Sequence, residues 1–367
     1  MNPEMPHKKL KLEVDHNQDQ TFVNLAKVIF GEVTRENVSS LYGKWPIVHK
    51  SGLFEAVSKN ETEIVKILLE SYGADPNAEF PNSSNPLHLA VENGSTEMVK
   101  ILLGHGAEVD SLNIDNRTPL QRAAAKNCLD IAKILLQHGA NIEFTDDENW
   151  SPLHHAVENN NIKMVTFLLA NGADLQARTY DGDTLLHFAV VENHVKMAKI
   201  LIQNGASVDA KNYVGFSPLY QAVENNLMKM TKLLVKHGAD VNMKNVIGWT
   251  PLLEAVLNGN TEMAEYLIKN GANINEENQN GWSIFHLAII DRNDEMVKIL
   301  LEHGADVDQK GHSGRTALHL ADTESLAKIL VKNDASLKIK DWNGDTPFES
   351  ALSINREDVL KVLMLHS

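Results

Sequence analysis

Five histidines recur at one place in a repeating phrase: His88, His154, His187, His286 and His319, each one residue after a Leu or Phe. Imidazole is the commonest general base and metal ligand. Successive copies stand a full repeat apart, too far to share a zinc ion whose ligands converge at about 2.0–2.1 Å. A second set, His105, His138, His237 and His303, precedes a glycine at helix ends, where a cation suits the helix dipole. The single cysteine, Cys128, sits beside Lys126 at the start of a helix, a setting that lowers a thiol pKa. No base and orienting group accompany it at recognisable spacing, so an inert thiol is expected ahead of a redox-active one. Neither a phosphate-cradling Gly-rich loop nor a zinc-protease helix motif is present. The residues that could do chemistry therefore assign no catalytic group, no metal and no cofactor.

The elements that position these residues repeat. An apolar anchor falls at Leu53, Leu87, Leu120, Leu153, Leu186, Leu219, Leu252, Phe285, Leu318 and Phe348, with successive differences of 34, seven of 33, and 30. An Ala follows each anchor by three residues, and a Gly recurs from Gly73 to Gly304 at the same period. Thr118, Ser151, Thr184, Ser217, Thr250 and Ser283 occupy a helix N-cap position, where the hydroxyl accepts from an orphan amide. Pro86, Pro119, Pro152, Pro218 and Pro251 fit the first helical position, where the missing amide proton costs nothing. Second helices such as 98–103 (MVKILL) supply an apolar face, and the following glycine suits a left-handed C-cap.

A turn, helix, helix unit of about 33 residues resembles the ankyrin repeat. The resemblance runs from about residue 48 to the C-terminus, through ten copies with boundaries at 48–80, 81–112, 113–145, 146–178, 179–211, 212–244, 245–277, 278–310, 311–340 and 341–367. It implies an all-α fold, an ankyrin-repeat α-solenoid with a β-hairpin loop in each repeat. Ahead of it, residues 1–20 read as a mobile tail. Residues 21–47 read as a helical N-terminal cap, on the helical spacing of Phe22, Leu25, Ile29 and Phe30, ending before Pro46. Repeat nine is three residues short between its helices and has Asp334 in place of the usual Gly, which predicts a weaker or differently curved joint. The last repeat reads as a polar C-cap that leaves no room for an appended catalytic or ligase-docking domain.

The resemblance also implies roles. The histidine after the anchor is expected to hydrogen-bond the neighbouring hydroxyl and tie adjacent repeats together. Partners are expected on the concave surface made by hairpin tips and inner helices. Mapped by the period, Trp150, Phe216, Trp249 and Trp282 occupy one hairpin position, with Tyr180 and Tyr213 nearby and Trp342 further on. Aromatics of this kind are enriched in binding hot spots, although the same position also suits packing between hairpins. Glu158, Glu192 and Glu224 lie on the inner helices and suit a basic or amphipathic segment, with a solvated acidic face as the plainer reading. Leu234 to Asn242 (LVKHGADVN) is similar to the motif an asparaginyl hydroxylase prefers, with Asn242 as acceptor; the same letters are also the hairpin consensus.

Composition bounds the rest. A net charge of −15 argues against direct nucleic-acid binding, which needs clustered Lys and Arg. One cysteine forbids an internal disulfide and points to a reducing compartment, the cytoplasm with the nucleus as a second location. No apolar run reaches the ~20 residues of a membrane span, and the first residues lack a secretory h-region. The expected function is a non-catalytic, monomeric scaffold or adaptor binding a protein partner. An inhibitor that sequesters a basic regulatory protein, or a substrate-recruiting adaptor working with a separate effector, is the alternative.

Overall fold

The computed structural model describes residues 45–79, 85–278 and 281–366; the tail (1–20) and nearly all of the cap (21–47) lie outside them. The described residues fall into two compact units, one ending at Ala173 and one beginning at Asp174. The first unit contains α1 (Trp45–Ser58), α2 (Thr62–Tyr72), α3 (Pro86–Glu92), α4 (Thr96–Gly104), α5 (Pro119–Ala125), α6 (Leu129–Gln137), α7 (Pro152–Glu158) and α8 (Ile162–Ala170). Pro46 stands in the first turn of α1, where no amide proton is needed, so this helix runs across the 47/48 boundary.

The second unit repeats the pattern with α9 (Leu185–Val191), α10 (Val195–Gln203), α11 (Pro218–Glu224), α12 (Met228–Lys236), α13 (Pro251–Leu257) and α14 (Thr261–Lys269). It continues through α15 (Ile284–Ile290), α16 (Asp294–Glu302), α17 (Ala317–Leu320), α18 (Glu324–Lys332), α19 (Pro347–Ser353) and α20 (Glu357–His366). Regular first helices have seven residues and second helices nine. Helices this short are unstable alone in water; they persist because each repeat buries its apolar face on its neighbours. In the second repeat Leu87, Ala90 and Val91 from α3 and Met98, Val99 and Leu102 from α4 are fully buried. Each such side chain contributes about 1.5–3 kcal/mol on leaving water. The hydroxyl caps form as expected: Thr118 accepts from the Gln121 amide, Ser217 from Tyr220 and Thr250 from Leu253.

Repeat nine shows what the missing residues do. Its first helix, α17, stops after four residues, and Ala321 leaves the helical region (φ −50°, ψ 125°). The carbonyls of His319, Leu320 and Ala321 thus lose a helical continuation. Arg356, immediately before α20, fills the gap: its Nη1 donates to all three oxygens at 3.0, 3.1 and 2.9 Å. A regular repeat does this with a smaller group, as Asn161 before α8 donates to the Ala124 and Ala125 carbonyls. A second strap comes from the preceding repeat, where Arg292 donates to Asp322 at 2.9 Å. The shortened joint is therefore braced from both sides by guanidinium groups. Asp334 adopts the left-handed conformation (φ 64°) that glycine supplies elsewhere, at a small steric cost.

Replacing Arg356 by Ala leaves three helix-end carbonyls without their donor. About 2 kcal/mol of stability should be lost, with amide hydrogen exchange accelerated first in 317–332. Hydrogen-exchange mass spectrometry of the full chain reads this directly; uniform protection across the second unit in the variant would refute the bracing role.

Candidate protein-binding surface

Six of the described hairpins are closed by one side chain. A carboxamide or carboxylate four residues before the N-cap's predecessor accepts that residue's amide: Asp146 from Trp150 (3.0 Å), Asn212 from Phe216 (2.9 Å), Asn245 from Trp249 (2.9 Å) and Asn278 from Trp282 (3.0 Å). The four aromatics assigned by sequence to hairpin tips therefore stand at hairpin bases, against the first helices. All four are half-buried. Trp150 packs on His155 with ring centroids 5.3 Å apart, Phe216 stacks on Tyr220 at 4.6 Å, and Trp282 meets His286 at 5.5 Å.

Four of the five anchor histidines, His88, His187, His286 and His319, tie one repeat to the next. In the second unit, the Thr184 hydroxyl donates to His187 Nδ1 (2.8 Å), and His187 Nε2 donates to the Phe216 carbonyl of the next repeat (3.0 Å). His319 does the same with Thr316 (2.8 Å) and the Asp345 carbonyl (3.0 Å), and His286 with Ser283 (2.7 Å) and the Arg315 carbonyl (3.2 Å). In the first unit His88 Nε2 reaches the Arg117 carbonyl at 2.9 Å, and Gln121 replaces the histidine by donating to the Trp150 carbonyl at 2.7 Å. Burial holds His88, His187, His286 and His319 below the ordinary imidazole pKa. In His187, His286 and His319 neutral rings fit the pattern, with Nδ1 accepting from the hydroxyl and Nε2 donating to the carbonyl.

The first unit presents a polar hairpin surface. A cleft of about 320 Å³ is lined by Asp115, Arg117, Asp146, Asp147 and Glu148. Asp146 is the buried anchor there, accepting from His155 Nε2 at 3.0 Å and lying 3.3 Å from Arg117 Nε. Burial, then the Arg117 charge, lower the His155 pKa to about 4. Glu158 ends α7 half-buried, with Asn159 Nδ2 3.4 Å from its carboxylate. Cys128 runs against the thiolate reading: burial raises its pKa and outweighs Lys126, whose ammonium is 2.5 Å from Glu92.

The second unit differs. Tyr180, Tyr213, Val214, Val246 and Ile247 are exposed on successive hairpin tips, Tyr213 at 72% and Val246 at 65%, with Trp342 at 77% further along. Backbone bonds join the tips: Tyr213 N to the Asp181 carbonyl (3.0 Å), Val246 N to Val214 (3.4 Å) and Trp342 N to Ser313 (3.0 Å). Gly182 makes the first junction, since a β-carbon there would come within 2.8 Å of the Tyr213 ring. Glu192 and Glu224 are exposed at the ends of α9 and α11. Tyr180 and Tyr213 thus stand on adjoining tips, whereas Phe216, Trp249 and Trp282 are half-buried at hairpin bases, and Trp150 and Glu158 belong to the first unit. Val214, Val246 and Ile247 escaped the sequence reading, although each lies next to or just before the recurring tip glycine. Asn242 is engaged at both ends, donating to the Gly271 carbonyl (3.0 Å) and accepting from the Asn273 amide (2.8 Å). Asn77 is held identically in the first unit.

The ankyrin-repeat family model (three copies) matches residues 53–146, 139–212, 179–245, 219–311 and 270–341. The chain belongs to the ankyrin-repeat family. Among similar proteins, human transient receptor potential cation channel subfamily A member 1 is 33% identical over 104 residues, 27% of this chain and 9% of the channel. A putative ankyrin repeat protein of Rickettsia bellii is 35% identical over 89 residues, 18% of this chain and 37% of that protein. Mouse protein phosphatase 1 regulatory subunit 27 is 39% identical over 71 residues, 18% of this chain and 46% of that subunit. This ankyrin-repeat chain thus matches less than half the length of these relatives. Among solved structures, the ankyrin repeat domain of Bcl-3, a member of the IkappaB protein family, aligns with TM-score 0.55 and 31% identity, covering 60% of this chain and 99% of that domain. Ankyrin repeats are in general protein-interaction modules. Among the described residues, no helix is long and apolar enough to cross a membrane.

The tether histidines make ankyrin-repeat stability pH-dependent. Their folded pKa values lie below the unfolded value of about 6.5, so the unfolded chain binds more protons on acidification. The tethers' contribution is complete above about pH 6.5 and is lost as pH falls below it; His155, buried outside the tether set with a pKa of about 4, acts in the same direction. Urea midpoints should therefore decline steadily between pH 7 and 4.5; a flat profile would mean the imidazoles are accessible in the folded state.

Proposed function

We propose that the second unit is a protein-docking module. The carrying observation is the row of exposed aromatic and aliphatic side chains on its hairpin tips, Tyr180, Tyr213, Val214, Val246 and Ile247. Exposed apolar groups in a row mark interaction surfaces, and backbone bonds between tips hold them ready, so little ordering entropy is lost on binding. Phe216, Trp249 and Trp282 act as the supporting layer. Glu192 and Glu224, beside the row, select a segment that is basic or amphipathic, in keeping with a net charge of −15. Trp150 and Glu158 contribute a further contact region on the first unit. The chain acts as a non-catalytic scaffold or adaptor, working in the cytoplasm as a monomer. The regulatory subunit and IkappaB-family protein among its relatives favour a regulatory or sequestering role.

The two aromatic layers separate experimentally. The paired substitutions Tyr180→Ala and Val246→Ser should abolish capture of a partner taken up by the wild-type chain, with thermal midpoint and helical circular dichroism unchanged. Trp249→Ala or Trp282→Ala should instead cost about 2 kcal/mol of stability, as expected for half-buried rings. Undiminished capture by the tip variant would rule out the row as the docking surface.

A further inference from the structure

One register in the hairpins of the second unit places positive charge beside the exposed tips. Arg178, Lys211, Lys244, Lys310 and Lys340 occupy it, with Glu277 the exception. Two residues after each cation come Tyr180, Tyr213, Val246, His312 and Trp342, all exposed. In the first unit the same two registers hold Leu112 with Ile114 and Thr145 with Asp147. A cation paired with an exposed aromatic or aliphatic tip is therefore a property of the second unit.

The cations are held in place, mostly by groups that leave their charge uncompensated. Arg178 Nη1 donates to the Gly182 carbonyl (2.7 Å) and to the Lys211 carbonyl of the next repeat (2.8 Å). Lys211 Nζ reaches the Lys244 carbonyl in the same way (2.7 Å), and Lys310 Nζ the Lys340 carbonyl (3.0 Å). A carbonyl fixes an ammonium but has no net charge, and each ammonium keeps two further donors. Among the described residues no carboxylate pairs with Lys211, Lys310 or Lys340, whereas Lys244 meets Glu276 at 2.6 Å. The four lysines are exposed, and Asp181 is the one acid on the described tips.

This sign runs against the rest of the chain, whose net charge is −15. It also runs against the first helices of the same unit. These contain no Lys or Arg, and Glu192 and Glu224 stand at the ends of α9 and α11. Charge in the second unit is thus sorted: positive along the hairpins and negative at the first-helix ends.

We propose that the tip row takes an extended protein segment that is acidic and apolar, with carboxylates on the lysines and apolar side chains on the tips. The proposal rests on the docking function of this unit and names the chemistry of the segment where it crosses the hairpins. Glu192 and Glu224 meet its basic side at the helix ends, so the sorted charges also fix its orientation. Packed helices lie about 8–10 Å apart, and an extended chain advances about 3.3 Å per residue. Every third residue of the segment therefore reaches a new repeat.

The probe is a rhodamine-labelled peptide of five Leu-Glu-Gly triplets, titrated into the full chain and read by fluorescence anisotropy. Leu-Gln-Gly and Leu-Lys-Gly peptides are the neutral and basic controls. The acidic peptide should bind saturably, at least about fivefold tighter than the neutral one, and weaken with added salt. Combining Lys211→Gln with Lys310→Gln should weaken it about five- to tenfold, the value of two exposed ion pairs. The unfolding midpoint should hold, because a glutamine amide can make the same bond, as Gln176 Nε2 does to the Gly205 carbonyl at 3.1 Å. Lys211→Glu with Lys310→Glu should transfer the preference to the Leu-Lys-Gly peptide. No binding of the acidic peptide, equal binding of the neutral one, or unchanged binding by the glutamine variant would each overturn the assignment. Partner capture that is lost with Tyr180→Ala and Val246→Ser but kept by the glutamine variant would preserve the docking row and remove only its acidic partner.

Discussion

The tether from one repeat's N-cap to the next repeat's hairpin is the interaction on which the rest of the structure depends. A seven-residue helix cannot hold itself together, and its first-turn amides need partners. A Ser or Thr hydroxyl meets that need locally, and the histidine three residues on carries the connection outward to a carbonyl at the next hairpin base. The carbonyl belongs to the residue whose own amide closes that hairpin. Capping, repeat-to-repeat spacing and hairpin closure are thus one hydrogen-bonded chain, and a neutral imidazole is what links its parts.

This chain explains why the exposed surface is free to vary. Once Asn or Asp closes the hairpin and histidine fixes its base, the residues at the tip carry no structural duty beyond fitting the neighbouring glycine. The first unit uses that freedom for polar groups around the Asp146 cleft, and the second for Tyr180, Tyr213, Val246 and Ile247. The same freedom appears on the first helices. Where Arg122 pairs with Glu92, opposite charges join two repeats; where Glu254 stands in the place of Arg122, the Tyr220 hydroxyl and the Asn258 amide hold it instead. Keeping the backbone while exchanging these side chains lets one register be held by an ion pair in one repeat and by neutral hydrogen bonds in another.

The shortened ninth repeat shows how the design tolerates a defect. Deleting residues between two helices unbinds carbonyls rather than apolar groups, so repair demands donors. Arg356 supplies them from the position that Asn161 holds in a regular repeat, and its length spans a distance that Asn161 does not need to cover. The Asp334 conformation is the remaining cost of the irregularity.

The sequence by itself determined the repeat, its period, its caps and its turns, because each depends on contacts within a few residues. Leu87, Ala90, Thr118, Pro119 and Gly106 need no distant partner to declare their roles. The histidine tethers were an expectation of the family resemblance, and the stacked repeats form them at His88, His187, His286 and His319. Tertiary structure alone decided which aromatics are accessible. Trp249 and Tyr213 look alike along the chain, but one lies at the hairpin base against a first helix and the other rests on Gly182 at an exposed tip. It also decided that Arg356 braces repeat nine and that Glu254 is held by Tyr220 and Asn258. Such facts join side chains on separate helices, and the balance of charge, burial and hydrogen bonding among them exists only once the repeats are stacked.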